Sequence, residues 1–161
     1  MLRGAQPNDL PFLREMLFEA SYLEGSPRPE FEEGLSDPKL AIYLQDWGRP
    51  GDHGLIAEDE EGKPAGATWF RLFTADRPGW GYIDDQTPEL AIAVVPGRRG
   101  QGIGSQLLKS LIELAREQGH SGLSLAADPI NHGAMRLYHR LGFREVRRDD
   151  EAVVMVLDLA G

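Results

Sequence analysis

The 161-residue chain has no cysteine, which excludes disulfides, thiolate metal sites and a cysteine nucleophile together. It also lacks any uninterrupted apolar run of about 18 residues, the length a membrane-crossing helix needs. Met1 to Leu10 contains no apolar stretch of the kind a secretory signal requires, so a soluble cytoplasmic protein without membrane association is the expectation. Positive charge is scarce: 17 Lys and Arg against 26 Asp and Glu leave a net charge of −9. That field repels nucleic-acid phosphates and anionic lipid unless a local patch reverses the sign, and it suits a cationic small molecule or peptide amine. The four histidines, His53, His120, His132 and His139, show no ligand spacing, so no metal site is expected.

Internal repeats and low-complexity tracts are absent as well, and no Pro/Gly stretch is long enough to divide the chain. One domain over 1–161 is therefore expected. Leu10, Leu13, Leu17 and Ala20 recur at helical spacing behind Asp9, a candidate cap, and predict a helix over 9–20. Asp37-Pro38 reads as a cap followed by proline in the first turn, opening a helix with Leu40, Tyr43, Leu44 and Trp47 on one face. His53 to Asp59 and Ala65 to Thr74, joined by the turn at 60–62, predict an antiparallel hairpin. Glu89 to Val95 is an apolar strand that runs directly into Pro96-Gly97-Arg98-Arg99-Gly100-Gln101-Gly102-Ile103-Gly104. An amphipathic helix over 105–118, a strand over 123–127, a helix capped by Asn131 and a closing hairpin over 143–159 complete the chain. Helices followed by a mixed sheet with a crossover helix imply an α/β or α+β fold.

Strand, glycine-rich loop, helix is an order with chemical meaning. A helix N-terminus has unpaired amides and a partial positive charge, so a loop entering it binds an anion through the backbone. Gly100, Gly102 and Gly104 remove side chains on alternate residues, and Arg98 and Arg99 add adjacent cations in the middle of an acidic chain. Gly104-Ser105-Gln106 has no lysine, which excludes a P-loop. A dinucleotide fingerprint requires glycine where Ser105 stands, although Asp128 falls where its acidic residue belongs. A dinucleotide-dependent oxidoreductase is thus an alternative, weakened by the missing glycine and by the preceding hairpin.

Arg99-Gly100-Gln101-Gly102-Ile103-Gly104, preceded by Ile92-Ala93-Val94 and Pro96 and followed by Asn131, Tyr138 and Leu141-Gly142-Phe143, resembles the GNAT superfamily of N-acetyltransferases. The resemblance spans residues 92–143 and implies a mixed, mostly antiparallel sheet flanked by helices. In it two central parallel strands, 89–95 and 123–127, splay apart to admit coenzyme A. It implies acetyl-CoA as cofactor, with backbone groups of Ile92, Ala93 and Val94 pairing with the pantetheine arm. Amides from Gly100 through Ser105, with Gln101, Ile103 and Gly104 among them, would hold the pyrophosphate beside Arg99. Asn131 would touch the cofactor from the opposite wall as well as capping its helix.

Thioester aminolysis needs a neutral amine, a stabilised oxyanion and a proton for the departing thiolate. By similarity Tyr138 is the general acid and an amide near Val94 stabilises the oxyanion. Glu89, at the head of the strand that leads to the loop and on the side of small Ala91 and Ala93, is the first candidate for base. Asp84, Asp85 or a water chain are its alternatives, because the later strand reads Ser124, Leu125, Ala126 where some family members carry glutamate. Acceptor recognition is sought among Tyr22, Glu24, Trp47, Trp69, Phe73, Trp80 and Tyr82, with Trp80, Tyr82 and Asp84 foremost because a Pro/Gly aromatic loop beside acids suits a cation. The expected activity is acetyl transfer to a primary amine of a small molecule or peptide. The alternative is a non-catalytic acyl-CoA-binding module. A homodimer is also plausible, since the apolar strand 152–159 needs cover.

Overall fold

The computed structural model describes residues 1–23 and 25–160. Along the chain come β1 (Leu2–Gly4), a single 3-10 turn (Pro7–Asp9), α1 (Leu10–Ser21), α2 (Phe31–Leu35), α3 (Pro38–Ala41), β2 (His53–Glu58), β3 (Pro64–Arg71) and β4 (Glu89–Val94). Then follow α4 (Ile103–Glu117), β5 (Gly122–Ala127), α5 (His132–Arg140), β6 (Arg144–Arg148) and β7 (Val153–Asp158). The strands hydrogen-bond in the order β1-β2-β3-β4-β5-β7-β6. Pairing is parallel between β4 and β5 and antiparallel at β1/β2, β2/β3, β5/β7 and β6/β7. This is the mixed, mostly antiparallel sheet with flanking helices that the sequence led us to expect. The chain forms two units, Met1–Arg71 with Ala91–Leu111 and Leu72–Leu90 with Ile112–Gly161. β4 and α4 each begin in one unit and end in the other.

In the first unit the predicted hairpin closes where Asp59 accepts the amides of Glu61 (2.8 Å) and Lys63 (3.0 Å). β3 is buried at every position from Ala65 to Arg71, rather than at alternate ones, because α1 and α4 both pack on it. Gly66 permits the approach of α4: a Cβ there would lie 3.1 Å from Leu107 Cδ1 and 3.3 Å from Ile103 Cγ2. Arg71 is fully buried at the end of β3. Its guanidinium meets both oxygens of Asp52 (3.0 and 2.6 Å) and the carbonyls of Ile42 (2.8 Å) and Gln45 (2.9 Å), which ties the turns after α3 to the sheet. α3 is one turn long, capped as expected by Asp37 at Lys39 N (3.0 Å).

One expectation needs correction here, and two short elements carried no signal. Asp9 does not cap α1 with its side chain; the carboxylate takes Arg3 Nη1 (2.8 Å), Arg3 Nη2 (2.9 Å) and the Gln6 amide (2.7 Å) instead. That pairing secures β1, which three residues of sequence cannot announce. α2 is likewise too short, at five residues, to show a period.

In the second unit β7 lies between β5 and β6, with Val153, Val154 and Met155 buried. The apolar strand that had suggested a dimer is thus covered within the chain. β6, the edge, is exposed throughout. Arg144, Arg147 and Arg148 and a register shift between Glu145 and Arg147 are devices that discourage strand addition.

Candidate functional site

The cofactor loop belongs wholly to the first unit. On β4, Ala91 O accepts the hydroxyl of Thr68 (2.8 Å) and Val95 N donates to Ala65 O (2.9 Å), so backbone groups of 91, 93 and 95 face β3. Strand alternation then turns the amides and carbonyls of Ile92 and Val94 away from β3. Of the three residues expected to pair with a pantetheine arm, Ile92 and Val94 present their backbone in that way and Ala93 does not. Val94 O also accepts Arg99 Nε at 3.3 Å.

Gly100 and Gly102 adopt φ of +80° and +83°, a left-handed conformation that L side chains resist, immediately before α4. A Cβ at either position would meet nothing within 4 Å, so the space beside both glycines is open. Helix geometry leaves the amides of Ile103, Gly104 and Ser105 without intrahelical acceptors, and the first turn closes with Gln106 N on Gly102 O (3.1 Å). Unobstructed amides at the positive end of a 15-residue helix fit a diphosphate. Neither arginine points idly into solvent: Arg98 pairs with Asp59 (3.0 Å) and Arg99 with Glu19 (3.2 Å).

The same unit contains a cavity of about 550 Å³ that sequence reasoning missed. Met16, Phe18, Phe31, Val95 and Pro96 supply its apolar lining, and Arg14, Glu15 and Glu19 its charges. Its residues come from α1, α2 and the two positions just after β4, three segments too far apart in sequence for any local pattern to join.

Glu89 and Tyr138 belong to the second unit. Glu89 opens β4, is 2% exposed and stands in register with Ser124. Ser124 is fully buried, and its amide donates to Pro88 O (3.0 Å). Gly81 packs against this corner so tightly that a Cβ would sit 2.7 Å from Leu125 C and 3.0 Å from Glu89 Cδ. Trp80 and Tyr82 are therefore carried on a loop pressed against the glutamate and β5. Arg147 Nη2 holds that loop through Trp80 O (3.3 Å) and Tyr82 O (3.1 Å). Trp80 is 42% exposed, whereas the Tyr82 hydroxyl donates to Asp85, which pushes the phenol up to about 12. Asp84 accepts the Gln86 amide (2.9 Å), which holds its carboxyl below the ordinary range; a carboxylate so stabilised is a poor proton acceptor.

Tyr138 is buried on α5, its ring 6.0 Å from that of Phe143, and burial pushes its phenol up to about 12. The hydroxyl stays protonated at neutral pH. Asn131 caps α5 through Ala134 N (3.3 Å), a contact that uses its carbonyl oxygen and leaves the amide nitrogen for another partner. Phe143 N returns to Tyr138 O (3.0 Å) past Gly142 at φ +101°, so the Leu141-Gly142-Phe143 signature is the stop of this helix. Among the remaining acceptor candidates, Trp69 and Phe73 are core residues, and Trp47 packs edge-on against Trp69 at 6.4 Å. Tyr22 donates to Gly34 O (3.0 Å), and Glu24 lies outside the described residues.

The Acetyltransferase (GNAT) family model matches residues 17–143. Thialysine N-epsilon-acetyltransferase of Bos taurus is 35% identical over 155 residues, covering 91% of this chain and 85% of that protein. Mycothiol acetyltransferase of Clavibacter sepedonicus is 31% identical over 95 residues, 59% of this chain but 28% of that longer protein. The chain thus spans only part of some relatives. The structure of yncA from Salmonella typhimurium with its cofactor acetyl-CoA shares the fold, with a TM-score of 0.71 at 23% identity over 99% of this chain and 93% of that one. With a strand, a glycine loop and a helix N-terminus in the order the signature requires, the chain belongs to the GNAT family of acetyltransferases, whose cofactor is acetyl-CoA.

Proposed function

We propose that this protein moves the acetyl group of acetyl-CoA to a primary amine of a small molecule or peptide, the amine attacking the thioester directly. The observation that carries the reading is the open space at Gly100 and Gly102 immediately before the first turn of α4. Bound there, the cofactor supplies an activated acyl thioester. Backbone groups of Ile92 and Val94 align its arm, while amides from Gly100 to Ser105, with Gln101 among them, and the Arg99 guanidinium balance the pyrophosphate charge. Asn131 offers its free amide nitrogen from the head of α5.

Within the second unit Glu89 takes a proton from the acceptor's ammonium, directly or through one water, and leaves the neutral amine to attack the thioester. Tyr138, neutral across the physiological range, donates its proton to the departing sulfur. Trp80 and Tyr82, held beside Glu89, form the acceptor's aromatic wall near the base. Residues 1–161 act as one catalytic domain, since β4 and α4 each run through both units.

The test is a screen of primary amines for release of free coenzyme A, paired with calorimetry against acetyl-CoA and NAD. Acyl transfer to at least one amine with heat from acetyl-CoA alone supports the reading. Binding without turnover on any amine makes the protein an acyl-CoA-binding module, and heat from NAD alone removes the acetyltransferase reading.

A further inference from the structure

Ser124 is the only polar side chain on β5, where Leu123, Leu125, Ala126 and Ala127 are its neighbours. It is fully buried, and its Oγ has no hydrogen-bond partner among the described residues. Buried hydroxyls are ordinarily bonded, and one left unpaired carries a desolvation cost that an alanine avoids. The fold therefore gains nothing from a hydroxyl at this position. Glu89 stands in register with Ser124 across the parallel pair, which puts both side chains on one face of the sheet. Its carboxyl leans over β5: a Cβ on Gly81 would lie 3.0 Å from Glu89 Cδ, 2.7 Å from Leu125 C and 3.0 Å from Ala126 N, so one point adjoins all three. Gly81 is itself buried and covers this corner.

We propose that Ser124 holds the water through which Glu89 takes its proton. Ser124 Oγ lies beyond direct hydrogen-bond reach of the carboxylate, and a polar contact at such a distance is made by a bridging water. A serine hydroxyl donates as well as accepts, so it donates to the water oxygen while the water donates to Glu89. Two polar partners in a covered corner are the minimum a buried water requires. In the transfer, the water oxygen accepts a proton from the acceptor's ammonium as one of the water's own protons passes to the carboxylate. The products are the neutral amine, the carboxylic acid and one water, and Ser124 keeps its proton throughout. Ser124 is thus a positioning residue, acting on the base without touching the acceptor. The proposal rests on the reading of Glu89 as base and specifies which of its two routes, direct or through water, the chain is built for.

Four variants are compared with the wild type, using acetyl-CoA and the fastest of three probe amines, benzylamine, lysine and spermidine. Glu89→Gln should lose about 10²-fold or more in kcat. Ser124→Ala should lose about tenfold in kcat with the amine KM within about twofold, the split expected when proton transfer rather than binding is impaired. Its unfolding midpoint should stay within about 3 °C of the wild type or rise, because the hydroxyl has no protein partner to lose. Adding Ser124→Ala to Glu89→Gln should slow the enzyme by no more than about twofold further, since the two side chains act through one step. Ser124→Thr, which keeps the hydroxyl, should restore kcat to within about threefold of the wild type. A crystal of the protein alone, which needs no acceptor, should place a water within about 3.2 Å of both Ser124 Oγ and a Glu89 carboxylate oxygen. A full rate in Ser124→Ala beside an impaired Glu89→Gln, additive losses in the double variant, or no such water in that crystal overturns the proposal and leaves Glu89 standing as base. A full rate in Glu89→Gln overturns both.

Discussion

Replacing Arg71 by methionine keeps an unbranched apolar stem where the side chain is entirely buried, and removes its guanidinium. Four hydrogen bonds disappear, two to Asp52 and one each to the carbonyls of Ile42 and Gln45, along with the cation over Trp47 at 5.5 Å. Asp52 keeps the amides of Gly48 (3.0 Å) and Arg49 (2.9 Å) but becomes a buried carboxylate with no opposite charge. Breaking one side of a buried pair costs about 3–5 kcal/mol, a large part of the roughly 5–15 kcal/mol that holds a domain folded. At about 2–4 °C per kcal/mol for a chain of this size, the midpoint of thermal unfolding should fall by about 6–20 °C. Arg71→Met with Asp52→Asn should lose less than the sum of the two single changes, because the neutral amide removes the stranded charge. Differential scanning fluorimetry of the three variants decides it. A fall below about 2 °C for Arg71→Met, or strict additivity, refutes the idea that this pair anchors the segment after α3.

Tyr138→Phe should lower kcat by about 10²-fold or more while coenzyme A affinity stays within twofold; because the phenol is pushed up to about 12, the wild-type rate should show no falling basic limb from this group below about pH 10.5. Gly81→Ala forces a methyl to within 2.7 Å of Leu125 C and 3.0 Å of Glu89 Cδ, an overpacking that costs about 1–3 kcal/mol; fluorimetry should record the loss, and kcat/KM measured well below the new midpoint should fall as well, since the displaced groups include Glu89. Asp9 is held below the ordinary carboxylate range by Arg3, so the wild type's stability advantage over Asp9→Asn should be full at neutral pH and shrink as pH falls below about 4, measured by urea unfolding across pH.

Local signals in the sequence reached the elements that local physics governs. The hairpin over β2 and β3, the capped helix behind Asn131, the amphipathic α4 and the glycine stop at Gly142 each follow from periodicity or cap chemistry within a few residues. The loop at 99–104 was equally legible, because a backbone anion site needs adjacent glycines and a helix start, all contiguous. Where elements were short, nothing periodic could appear: β1 is fixed by Arg3 reaching Asp9 and Glu58, and α2 by the Glu30 side chain accepting the amides of Glu32 and Glu33 (both 3.1 Å).

What the tertiary structure alone decided is which distant groups share a place. Trp69 and Phe73 stood among the acceptor candidates, and packing assigned them to the core. The burial of β7 between β5 and β6 removed a dimer argument that hydropathy had made. Gly81 carried no motif, yet it sets the distance between the aromatic loop, Glu89 and β5. Glu19 lies 80 residues from Arg99, so no spacing rule joins them. Sequence alone determined that a glycine loop would lead into a helix N-terminus, because that depends on neighbours along the chain. Which carboxylate answers the arginine beside it depends on neighbours in space, and those exist only after folding.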